Sequence, residues 1–165
     1  MNTEKIVKFA SCLISSPIFS RSLMHTTPVA VAVAIVVRNG HIFIGCRPDN
    51  ARYAGAWEFP GGACLEGEAP ADTALRELAE ETEMHGAICR EMFSSTNTFP
   101  DGRQYHVRYF VVEDARGEPS HVYYPRIAWV RPAELASYAM LEGNRAVIDR
   151  IAGGLLDALL NPPVG

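Results

Sequence analysis

No stretch of this chain is long and apolar enough to span a bilayer, which argues against a membrane protein. A basic surplus is missing too. The 15 Lys and Arg are outnumbered by 19 Asp and Glu, for a net charge of −4, so no overall field draws the chain to a nucleic-acid polymer. The four cysteines, Cys12, Cys46, Cys64 and Cys89, form no CxxC pair and no zinc-ligand spacing, and are expected to be reduced thiols of a cytoplasmic protein. Internal repeats and linker-like runs are also lacking. What remains is a chain of 165 residues, 48% hydrophobic and 21% charged, which suits one domain with a real core, as a monomer or homodimer.

Residues 1–27 place Lys5 and Lys8 before a patchy apolar stretch broken by serines and Pro17. A signal peptide has a cleaner apolar centre. The expectation is a loosely ordered or partly helical extension, with Met24 an alternative start, ahead of one domain over residues 28–161 and a tail over 162–165.

Residues 29–37 (VAVAVAIVV) read as a strand buried on both faces. Asn39-Gly40 is a hairpin turn, and residues 41–46 return as the partner strand. Trp57 to Phe59 is a short apolar piece, after which Pro60-Gly61-Gly62 is expected to end strand pairing. Residues 70–84 read as a helix: Pro70 suits its first position, Asp72 its first turn, and Ala71, Ala74, Leu75, Leu78 and Thr82 share one face. Residues 87–98 and 104–113 form a second predicted hairpin and 127–130 a further strand. Residues 132–138 are expected to make a helical turn, and 142–160 one C-terminal helix stopped by Pro162-Pro163. The order implies an α/β protein with a mixed sheet between helices.

The charge is uneven. Between Glu66 and Glu83 stand seven acids and one base, Arg76. Glu77, Glu80 and Glu81 fall on one arc of the predicted helix, about 100° wide, opposite the apolar face. Carboxylates at this spacing repel one another, and a solvated face normally mixes signs. A cluster of this kind suits a hard divalent cation such as Mg2+, which takes a few carboxylates, waters and substrate phosphates. Just upstream, Gly61-Gly62 lets backbone approach a ligand closely.

Gly62, Glu68, Arg76-Glu77 and Glu80-Glu81, with Leu78 at an aliphatic position, resemble the signature of the Nudix hydrolases. That resemblance implies a Nudix fold and Mg2+-dependent cleavage (Mn2+ as an alternative) of a pyrophosphate bond in a nucleotide. It implies that Glu77, Glu80 and Glu81, with a carbonyl of Gly61 or Gly62, hold the metal. Arg76 orients Glu77, and Glu68 or Glu77 helps to activate water. Arg47, Trp57-Glu58-Phe59-Pro60-Gly61-Gly62 and Asn144-Arg145-Ala146-Val147-Ile148 further resemble the MutT-like branch, which sanitises nucleotide pools by hydrolysing oxidised purine triphosphates such as 8-oxo-dGTP. Phe99-Pro100-Asp101 also matches. The implied substrate contacts are Arg47, Phe59, Asn144 and Arg103. Taken singly, Arg47 reads as a surface arginine, Asn144 as a helix cap and Phe59 as core. Pyrimidine triphosphates of the CTP type, another nucleoside diphosphate derivative, or a nucleotide-binding module with weak catalysis remain as alternatives.

Four positions depart from that pattern. Glu83 replaces a glycine that ends the helix in a left-handed conformation, so the helix is expected to run past Met84 to Gly86. Tyr123 stands where relatives carry an acid, with Glu118 or Asp114 as substitutes. Cys64 replaces a common lysine, and Ala69 a capping Ser or Thr.

Overall fold

The computed structural model describes residues 27–86, 88–98 and 102–160. The expected N-terminal extension, the tail and Phe99-Pro100-Asp101 lie outside them, apart from Thr27.

The strand β1 (Val29–Arg38) is the axis of the fold. Its alternation sorts two layers. Ala32, Ala34 and Val36 join one buried cluster and Val33 and Ile35 the other, so both faces are covered, as the unbroken apolar run predicts. The two small alanines let a helix lie close. The turn Asn39-Gly40, with φ of 50° and 74°, leads into β2 (His41–Cys46), antiparallel to the end of β1. Strands β5 (Ile88–Thr98) and β6 (Gln104–Glu113) form the second hairpin, and β6 runs parallel to β1 from Val29↔Tyr105 to Val36↔Val112. The two-residue β3 (Trp57–Glu58) and β7 (Arg126–Val130) both pair with β2. The order β3-β2-β1-β6-β5, with β4 (Gly61–Ala63) pairing with β1 and β7 with β2 off that path, is a mixed sheet.

The helix α1 (Pro70–Thr82) covers one face through Ala74 and Leu78. A 3-10 turn (Pro132–Ser137) and the helix α2 (Arg145–Ala152) cover the other through Leu135, Val147, Ile148 and Ile151. This is the expected α/β/α layering.

Three expectations are corrected. Pairing does not stop at the glycines: Gly61–Ala63 form β4, antiparallel to β1. A Cβ on Gly61 would lie 2.6 Å from the Ala32 carbonyl oxygen, so this glycine permits two strands to approach rather than turning the chain.

Second, α1 ends at Thr82, and Glu83 takes the left-handed cap itself with φ 62° and its N–H on the Ala79 carbonyl. That conformation costs about 1–2 kcal/mol for a residue with a Cβ. Stopping here buries Met84 completely, which is favourable by about 1.5–3 kcal/mol. It also lets the Thr82 hydroxyl accept from Met84 N–H at 3.1 Å and the Ser120 N–H donate to the Thr82 carbonyl at 2.9 Å. Burial and tertiary hydrogen bonds outweigh the local preference.

Third, the C-terminal segment is not one helix. A short 3-10 turn (Glu142–Asn144) precedes α2, and Gly153-Gly154, with Gly154 at φ 94°, separates it from α3 (Asp157–Leu160). The break returns Leu156 to the core.

Candidate active site

The site forms where α1 passes over β4. Ala69 precedes α1 without a side-chain cap, as its methyl group dictates. Glu68 compensates nearby. Its Oε2 accepts from Leu65 N–H at 3.0 Å and the Thr73 hydroxyl at 2.8 Å, clamping the loop onto the first turn. Arg76 completes the clamp by donating Nε to Glu68 Oε1 at 2.8 Å, Nη2 to Oε2 at 3.0 Å and Nη1 to Glu77 Oε1 at 2.7 Å. Hydrogen bonding to Arg76 holds the Glu68 carboxyl down at about 2.

Glu77 and Glu81 sit one turn apart and face the glycines. A Cβ on Gly62 would meet Glu77 Oε1 at 2.5 Å, so a side chain here would displace this carboxylate from its place against the strand. The Gly61 N–H donates to Glu81 Oε2 at 3.1 Å. Glu80 stands at the rim, 3.5 Å from Arg76 and half exposed.

Beneath them is a buried acidic network. Glu58 is 7% exposed and accepts two hydrogen bonds from Arg47 Nη1, at 2.8 and 2.7 Å. Arg47 Nε donates to the Arg52 carbonyl at 2.7 Å. Burial raises the Glu58 carboxyl above its ordinary value although Arg47 pulls it down. Burial, then the neighbouring charge of Glu58, pushes Glu81 up to about 8, and burial also raises Glu77 against the pull of Arg76.

Sequence reasoning missed Tyr124, whose hydroxyl donates to Glu81 Oε2 at 2.7 Å from a wholly buried position. The available signal was Gly45, a glycine inside an apolar strand, because a Cβ there would overlap the Tyr124 ring. Tyr123 packs edge-on against Tyr124 with ring centroids 4.8 Å apart. Of the substitutes considered for an acid at Tyr123, Glu118 is exposed and paired with Arg38 at 3.2 Å, and Asp114 occupies a left-handed turn with φ 53°.

The remaining predicted contacts are dispersed. Phe59 is a core residue, 2% exposed. Asn144 is 5% exposed and makes no side-chain cap; its Oδ1 lies 3.4 Å from the Tyr109 hydroxyl, which also donates to the Gly143 carbonyl at 2.9 Å. Arg103 is exposed just before β6. Cys46 and Cys64 are free thiols. Among the described residues, no helix is long and apolar enough to cross a membrane.

Among the described residues, no three acidic, His or Cys side chains are gathered tightly enough to form a ready-made metal cage. The donor chemistry nevertheless fits a divalent cation. Glu77 and Glu81 offer carboxylate oxygens beside a glycine strand, and their ionised forms are disfavoured by burial and crowding that a cation would relieve.

Comparison with known proteins bears on the family and the fold. The family model described as the NUDIX domain matches residues 27–151. The CTP pyrophosphohydrolase of Escherichia coli strain K12 is 30% identical over 121 residues, covering 73% of this chain and 89% of that protein. The 8-oxo-dGTP diphosphatase of Proteus vulgaris is 30% identical over 97 residues, covering 58% and 86%. The solution structure of the E. coli ORF135 protein matches with a TM-score of 0.71 at 26% identity, over 87% of this chain and all of that one.

Proposed function

The chain belongs to the NUDIX domain family as a MutT-like Nudix hydrolase, and on that premise we propose that it cleaves a nucleoside triphosphate to the monophosphate and pyrophosphate with Mg2+, oxidised purine nucleotides such as 8-oxo-dGTP being the preferred class. The observation that carries the reading is the pair Glu77 and Glu81, pressed against Gly61-Gly62, where burial first and the neighbouring acids second lift the Glu81 carboxyl to about 8.

In this proposal Glu77, Glu81 and the rim residue Glu80 hold the metal, with a carbonyl of Gly61 or Gly62. Bound Mg2+, or Mn2+, supplies charge neutralisation at the phosphates and a lowered pKa for bound water. Arg76 holds Glu68 and Glu77 in register through three directed hydrogen bonds. Glu68 is saturated with donors and held at about 2, so it is an orienting group. Glu77, which Arg76 engages through Oε1, is the better candidate to accept a proton from water. Asn144 is assigned to the base, because an amide donates and accepts along a purine edge. Arg47, engaged by Glu58, acts on substrate by way of that pair.

A pyrimidine substrate is the second reading, favoured by the coverage of the CTP-hydrolysing relative. One experiment addresses both: pyrophosphate release from oxidised purine, normal purine and pyrimidine triphosphates with Mg2+, for the wild type, Glu81→Gln and Asn144→Ala. Glu81→Gln is expected to lose at least about 10- to 100-fold, since even residues behind a metal ligand are worth that much. Equal rates for wild type and Glu81→Gln would refute the enzymatic assignment. An unchanged purine-to-pyrimidine ratio in Asn144→Ala would refute its base contact.

A further inference from the structure

We propose that Tyr124 is a positioning residue for Glu81: it fixes Oε2 from below, leaving Oε1 as the oxygen for a divalent cation. The inference rests on the metal-binding reading of Glu81 given above.

The geometry is specific. The Tyr124 hydroxyl and the Gly61 N–H both donate to Oε2, at 2.7 and 3.1 Å, while among the described residues no donor reaches Oε1. Two donors on one oxygen fix the rotation of a carboxylate, and a buried hydroxyl donating to a carboxylate that a cation holds ionised makes a strong bond. Tyr124 lies 43 positions from Glu81, so the bond is tertiary and ties the segment before β7 to the helix.

The ring has little freedom to swing the hydroxyl away. Tyr124 is completely buried in the cluster holding Ala32, Ala34 and Leu78. Phe43 meets it edge-on, with centroids 6.4 Å apart, and Tyr123 does so at 4.8 Å. The missing Cβ of Gly45 leaves the space the ring fills. Groups that hydrogen-bond a metal ligand from behind typically cost about 10- to 100-fold in metal affinity or activity when removed.

A core tyrosine that merely satisfies its hydroxyl would show the same contacts, so the test must separate the two roles. In the full chain, Tyr124→Phe keeps the ring and removes only the donor. Mn2+ serves as the probe: binding is followed by loss of the free Mn2+ electron paramagnetic resonance signal, alongside kcat and KM with Mg2+ and the metal-free melting temperature. The expectation is Mn2+ affinity weakened about 10- to 100-fold, kcat lowered with it, and KM for the nucleotide nearly constant.

A lower melting temperature with Mn2+ affinity and kcat equal to wild type overturns the proposal. Glu81→Gln in the same titration distinguishes the other failure: if it binds Mn2+ as well as the wild type does, the metal reading of Glu81 falls and this inference with it. Wild-type chain carrying 3-fluorotyrosine at position 124 supplies a readout that does not depend on the variant folding. Its 19F resonance is expected to shift saturably with Mg2+, and a resonance that ignores Mg2+ also overturns the proposal.

Discussion

The two ends of the acidic face solve the same problem in opposite ways. At the N-terminal end, Arg76 serves Glu68 and Glu77, and Leu65 N–H and the Thr73 hydroxyl add further donors to Glu68. At the C-terminal end, Arg47 is committed to Glu58, and among the described residues Glu81 receives only the neutral donors of Gly61 and Tyr124. One carboxyl is held at about 2, the other lifted to about 8, although thirteen positions of a single loop and helix carry both. The difference teaches where a cation is needed. The fold satisfies the end that organises the loop and leaves its charge deficit beside the glycine strand.

The largest way to break this contrast is to remove Arg47. Arg47→Met strands Glu58 in the interior, and losing one partner of a buried pair costs about 3–5 kcal/mol. Pairing it with Glu58→Leu is expected to recover most of that loss, because apolar replacement of a whole buried pair is often neutral. Urea denaturation of the two single variants and the double one measures the coupling. Strict additivity would mean that the pair is not the unit it looks like.

A second test uses pH in the metal-free protein. Glu81 binds a proton in the folded state that the unfolded chain, titrating near 4.5, has already released, so its contribution is complete below 4.5 and is lost as pH rises to about 8. Glu68 runs the other way: its contribution is present above 4.5 and is lost as pH falls toward about 2. Stability against pH should therefore slope downward on both sides. Glu81→Gln should flatten the alkaline limb and Glu68→Gln the acid limb, and Mg2+ should oppose the alkaline loss by replacing the proton. If either variant flattened the wrong limb, the assignment of the two carboxyls would be reversed.

The sequence exposed the N-terminal half of this contrast better than the other. Glu68, Arg76 and Glu77 meet through α1 and the loop just before it, and helical periodicity puts the carboxylates on one side by spacing alone. The apolar alternation of β1 and the Asn39-Gly40 turn were legible for the same reason, being local. The C-terminal half is built across the chain. Tyr124 reaches Glu81 only because β7 returns beside β2, and no periodic signal announces it. Arg47 and Glu58 were visible as residues, but their pairing depends on β3 lying against β2. The glycines were read as the end of strand pairing because close strand approach has the same composition as a break in a strand. Gly153-Gly154 broke a helix that apolar spacing alone carried through.

The smallest expected effect lies where α1 stops, and it asks whether the buried end of the site tolerates a cheaper cap. Glu83 holds φ at 62° so that Met84 can enter the core and the segment around Ser120 can meet the Thr82 carbonyl on its way to Tyr124. Glu83→Gly removes the steric cost of about 1–2 kcal/mol, but it frees the unfolded chain by about 0.4–1 kcal/mol. The net expectation is a gain of about 0.5–1 kcal/mol in urea denaturation. Glu83→Ala keeps the Cβ and should give no such gain. If Ala matched Gly, the effect would belong to the lost charge, and the left-handed backbone would not be the source of strain. If neither helped, the tertiary bonds that stop the helix would already absorb the conformation, and the Glu81–Tyr124 end would owe nothing to it.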